Sequence, residues 1–171
     1  MARSSEAKAL LADLRAGRVP HENLYTVIHT FGNEGPLEAK PDVEAFLSDP
    51  DPDLRYIALN VLVFHWMCPE HRVTCERFAL DDAESDNRRM GVAGLGALLE
   101  GTSDKRALEL LLKIFENAAE EWDVRDAAYS SILYVLGRPA SEQPLASKKL
   151  DQTKDVNWDL IRNAEEIAGS S

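Results

Sequence analysis

Apolar residues along the chain recur at steps of three and four rather than alternating, and each run stops at a glycine, a proline or a polar cluster. That period predicts helices from end to end. Ala7, Leu10, Leu11 and Leu14 mark a helix over 5–16, stopped by Gly17 and Pro20; Leu24, Val27, Ile28 and Phe31 mark a second over 24–31, stopped by Gly32, Gly35 and Pro36. Pro41, Val43, Phe46 and Leu47 give a third that ends before Pro50. The stretch 54–67 is apolar on nearly every side, which puts it at the centre of the molecule, and Pro69 closes it. Helices over 70–80, 87–100, 104–119 and 123–136 follow, with the clearest stripe at Ala107, Leu108, Leu111, Leu112 and Phe115. After a surface loop over 138–143, a last helix over 158–168 carries Trp158, Ile161 and Ala164 or Ala168 to cover the end of the stack.

Short polar residues stand where helices begin, and Asn23, Asp53, Asp86, Asp123 and Asp155 read as their N-caps. They recur roughly every 30–37 residues, room for two helices and two turns, which is the period of a helix-pair array. Three of them open the same phrase: Asp53-Leu54-Arg55, Asp86-Asn87-Arg88 and Asp123-Val124-Arg125. Ala58, Gly91 and Ala128 stand at one fixed step beyond the arginine, and Val61, Gly94 and Ser131 at the next turn, so small side chains recur where neighbouring helices must approach. The arginine is expected to reach the cap or an acid of the next turn and tie one repeat to another. Gly96 falls on a different face, where it is expected to make room for a partner's side chain.

The phrase Asp-x-Arg-x-x-small, preceded by the turn Asp49-Pro50-Asp51-Pro52, resembles the HEAT repeat, most closely its short bacterial type. The resemblance covers 37–137 well and the flanks loosely. It implies an all-α solenoid of about four stacked antiparallel helix pairs plus a C-terminal helix. The pair over 1–36 would start the stack, and 138–171 would supply a loop and a capping helix. Second helices of such repeats line a concave surface, and members of the family are mostly scaffolds and binding proteins. Some HEAT-like enzymes bind two irons through repeated His-Glu pairs; only His21-Glu22 matches here, and one pair cannot build that site.

Composition narrows the function. A chain of 171 residues, 44% of them apolar, suffices for one sizeable core, so a single domain over 1–171 is expected. No apolar run approaches the length of a membrane span. The polar start Met1–Lys8 does not read as a signal peptide, and with two cysteines the chain is expected in the cytoplasm. A net charge of −11 argues against nucleic acid, whose phosphates demand lysine and arginine, and favours a basic protein partner. The acids gather in the turns 49–53, 81–86 and 120–123, predicting a docking edge at Asp51, Asp82, Glu84 and Glu121. Helical spacing from the reference arginines places Tyr56, Asn60, Arg89, Asp126 and Ser130 on the adjoining concave face.

The functional expectation is therefore a non-enzymatic binding protein without a cofactor, in its most specific form an immunity-type inhibitor of a basic toxin. The alternatives are an adaptor in a larger assembly, or a metal- or cofactor-dependent HEAT-like enzyme such as a lyase. For the enzyme, His65, Cys68, His71 and Cys75 offer imidazole and thiol ligands that could converge across the Pro69 turn.

Overall fold

The computed structural model describes residues 2–144 and 149–170. Among the described residues every regular element is helical and none is a strand, so the protein is all-α. The chain divides into two compact units, Met1–His71 and Arg72–Ser171.

The first unit holds α1 (Ala2–Arg15), α2 (Leu24–Glu34), α3 (Lys40–Ala45) and α4 (Pro52–Asn60), the last continuing into a π-helical turn, Val61–His65. Its core is Ala7 and Leu11 from α1, Val27, Ile28 and Phe31 from α2, Val43 from α3, and Leu54, Ile57 and Ala58 from α4. Full burial of each larger side chain is worth about 1.5–3 kcal/mol. Gly32 does not stop α2. A Cβ there would lie 2.8 Å from Val61 Cγ2 and 3.1 Å from His65 Cγ, so the glycine lets the π-helical turn close on α2. The helix ends instead at Gly35, whose φ of 66° is open to glycine at little cost. After the π turn the Cys68 N–H reaches back to the Leu62 carbonyl at 2.9 Å, and Met67 takes a φ of 50°. Arg15 of α1 pairs with Asp42 of α3, and Lys40 of α3 with Glu70 in the turn 69–71.

The second unit holds α5 (Arg72–Asp81), α6 (Ser85–Leu98), α7 (Lys105–Glu116), α8 (Trp122–Val135) and α9 (Trp158–Gly169). Helix α6 packs on α5 and α8, and α7 on α8 and α9. Gly91 sits where a Cβ would stand 2.5 Å from the Ala79 nitrogen and 2.6 Å from the Cys75 oxygen; here the expected close approach of helices is present. Gly96 differs from expectation. It faces Ser131 of α8, whose hydroxyl donates to the Val92 carbonyl at 3.0 Å, so the space it opens is filled from within the chain. Asp104 caps α7 by accepting from the Ala107 N–H at 2.9 Å, and Arg72 grips the same carboxylate with two bonds of 2.8 Å.

The aspartates of the repeated phrase are not caps. Asp53, Asp86 and Asp123 lie inside the first turn, and the cap positions fall two residues earlier, at Asp51, Glu84 and Glu121. An acid in the first turn favours the helix dipole about as well as a cap does, which is why the two look alike in sequence. Helix α9 is likewise capped by Asn157, which accepts from the N–H groups of Asp159 and Leu160, rather than by Asp155.

Candidate interaction surfaces

In the first unit Tyr56 and Asn60 are half-buried one turn apart on α4. Helix α2, packed alongside, brings Tyr25 close enough to Tyr56 that burial, with the charges of Tyr56 and Asp53 adding, pushes the Tyr25 phenol above its ordinary range. Further along the same pair of helices the rings of His29 and His65 meet edge to face, 6.0 Å between centroids, with Asn33 Nδ2 3.2 Å from His29 Nδ1. The sequence pattern points to the α4 half of this face but not to Tyr25 and His29. Their i, i+4 spacing on the polar side of α2 was the available signal. Asp51, predicted for docking, accepts from the Asp53 N–H at 2.9 Å to cap α4, and His21 Nε2 stands 3.7 Å from its carboxylate.

The four candidate metal ligands have separate environments. His65 is exposed against His29. Cys68 is buried, its thiol pushed up by that burial, with Lys40 opposing the shift. His71 Nε2 is 3.1 Å from Glu44 Oε1. Cys75 belongs to the second unit, where burial pushes its thiol up to about 12. Among the described residues no three His, Cys, Asp or Glu side chains are arranged to hold a metal ion.

In the second unit the turn before α6 and the turn before α8 are joined directly. Arg88 makes bonds of 2.8–3.2 Å to both carboxylate oxygens of Glu120, and the two side chains are only 18% and 13% exposed. Burial alone would raise the Glu120 carboxyl, but the bonds and charge of Arg88 together with the Glu121 N–H outweigh it and hold that carboxyl below the ordinary range. Arg89, predicted for the binding face, bonds Asp86 at 2.9 Å and lies 3.6 Å from Asp123 of the neighbouring turn. Asp82 turns inward, accepting from the Glu84 N–H and from Asn87 Nδ2. Glu84 and Glu121 are exposed, and neither side chain makes a capping bond.

Asp126 and Ser130 lie half-buried one turn apart on α8. The Asp126 carboxylate accepts the Leu150 N–H at 2.9 Å; burial raises its pKa, opposed by that bond and by Lys149. Trp122, which lies on α8 before Asp126, carries Lys149 over its ring. The sequence offered no sign of this, because the two residues are far apart in the chain and Lys149 sits in a segment without periodicity. No known protein family, curated protein or solved structure matches the chain.

Proposed function

We propose that the chain is a HEAT-like helical-repeat protein, an α-solenoid in the family's sense, that binds a basic protein partner in the cytoplasm without catalysing a reaction. An immunity-type inhibitor of a basic toxin is its most specific form. The repeat reading is supported by ion pairs between turns at one spacing, Arg72 with Asp104 and Arg88 with Glu120, each 32 residues apart. The observation that carries the binding reading is the Arg88–Glu120 clamp. It neutralises one acid while bringing two acidic turns together, and it leaves Glu84 and Glu121 exposed beside each other's turns. Exposed carboxylates with no bonding role inside the fold raise the local potential and speed encounter with a cation-rich surface.

The test begins with capture of the partner from the source cell and its identification. Association kinetics are then compared for the wild type and a Glu84→Lys/Glu121→Lys variant. These two positions are chosen because reversal at Asp51 or Asp82 would break a cap or a turn as well as change the charge. At low salt the on-rate is expected to fall about tenfold, and the difference to shrink as salt rises. An on-rate unchanged at low salt, or a captured partner that is acidic, refutes the reading.

A further inference from the structure

Residues 149–157 cross α8 without forming a helix, and they are held the way a bound peptide is held. Lys149 Nζ lies 5.9 Å from the centroid of the Trp122 ring. The Leu150 N–H donates to Asp126 Oδ2 at 2.9 Å, and the Asn157 N–H donates to the Tyr129 hydroxyl at 2.9 Å. Leu150 and Val156 are buried. Two of these contacts are made to backbone N–H groups, which carry no side-chain selectivity; between them the segment turns, the Lys154 and Asp155 N–H groups both donating to the Asp151 carbonyl. The other two select a side chain: a cation for the indole face, near the Asp126 carboxylate that holds the next residue's N–H, and an apolar residue directly after it.

We propose that the face of α8 bearing Trp122, Asp126 and Tyr129 is a recognition site for a non-helical, lysine-bearing segment of the protein partner, with residues 149–157 seated there as an internal stand-in. This rests on the binding function proposed above and names the part of the partner that is read. The partner's lysine takes the place of Lys149 over Trp122, and the apolar residue after it takes the place of Leu150. Because the internal segment already occupies the site, its docked fraction weakens the apparent affinity for any competitor, and unseating it strengthens that affinity in proportion.

The probe is a fluorescein-labelled peptide with the sequence of residues 149–158, titrated into the full chain and followed by fluorescence anisotropy. Leu150→Asp unseats the internal segment and leaves Trp122, Asp126 and Tyr129 in place. The peptide is expected to bind this variant at least about tenfold more tightly than the wild type. Adding Trp122→Ala, or replacing the peptide's first lysine by glutamate, is expected to abolish the gain. Should circular dichroism show Leu150→Asp unfolded, the exposed Lys149→Ala replaces it, with a gain of at least about threefold expected. Equal binding to wild type and variant, or a gain indifferent to the loss of Trp122, overturns the proposal. So does a wild-type chain that sediments as a dimer with the two segments exchanged, since the occupant would then be a second copy. The peptide assay does not involve the natural partner, so its failure leaves the charge-steering reading to stand or fall on the Glu84/Glu121 variant.

Discussion

Replacing Gly96 by alanine separates two accounts of that glycine. If it made room for a partner, alanine would leave the free protein intact or help it, since alanine is favoured over glycine in a helix interior by about 1 kcal/mol. In the structure the added Cβ would stand 2.8 Å from Ser131 Oγ, 2.9 Å from its Cβ and 3.0 Å from its Cα. The hydroxyl can rotate away, but only by giving up its bond to the Val92 carbonyl, a loss of about 0.5–1.5 kcal/mol. The Cβ and Cα cannot move without shifting α8 against α6, and overpacking of that kind costs about 1–3 kcal/mol. Subtracting the propensity gain leaves a net destabilisation of about 0.5–3.5 kcal/mol. Urea unfolding followed by circular dichroism measures it. Ser131→Gly in the same chain takes away the crowding side chain but leaves the backbone of α8 where it was, and is expected to recover part of the loss. An unchanged or raised midpoint for Gly96→Ala, or a double variant no more stable than the single variants predict, would refute the packing argument.

Arg88→Ala strands Glu120 half-way out of solvent and should cost about 2–4 kcal/mol, with Glu120→Gln costing less because the amide still accepts a bond; urea midpoints of the two variants check the order. The same pairing sets a pH dependence. Glu120 and Asp104 have carboxyls held below their ordinary range by Arg88 and Arg72, so the stability they add is present above the unfolded-state pKa and is lost as pH falls through the lower folded values. Urea midpoints should drop below about pH 4, and an Arg72→Ala/Arg88→Ala variant should show a flatter drop. Asp126 has the opposite sign: its raised pKa favours the protonated form, and its contribution declines as pH rises through the folded value. Asp126→Asn should therefore keep the wild-type midpoint at pH 7, its amide oxygen still accepting the Leu150 N–H. Neither thiol should react within minutes with a disulfide reagent at pH 8, given burial and a Cys75 thiol pushed up to about 12, whereas both should react in denaturant. Rapid labelling of the native chain would contradict the burial of both cysteines.

The helices were legible because burial imposes a period that survives in the sequence. The stripe Ala107, Leu108, Leu111, Leu112 and Phe115 is the buried face of α7, and the glycines at 35 and 137 mark helix ends where the backbone turns left-handed. Asn23 stands at the cap position expected of it, whereas the other four caps were misplaced by two residues because capping and dipole compensation select the same residue types. Pro52 at the first helical position pointed to Asp51 all along. Gly32 and Gly96 were legible as exceptions but not in their meaning. What a missing side chain makes room for depends on a helix far away in sequence, and only the structure brings Val61 or Ser131 into place. The His/Cys cluster failed for a related reason: nearness in sequence around Pro69 does not fix side-chain directions, and the π-helical turn sends His65 toward α2 instead.

The repeated phrase keeps one use that its spacing did not disclose. Arg55 donates to the carbonyls of Asp49 and Pro50, six and five residues back, and Arg88 donates to those of Asp82 and Ala83 over the same reach. Both arginines thus fold over the turn that precedes their own helix and fix its path. Arg125 departs from this, bonding the Phe115 carbonyl ten residues back, where α7 ends. The arginine, the first-turn aspartate and the inward acids such as Asp82 all have work inside the fold. A charge with such work is a poor guide to function, because stability alone explains its presence. Glu84 and Glu121 occupy cap positions whose usual capping bond their side chains do not make, and they point their charge to solvent. A Ser, Asp or Asn at either position would cap better. Glu121 adds its charge to the field around Arg88, but neither glutamate is held by a capping bond, and so the search for a partner begins at these two residues.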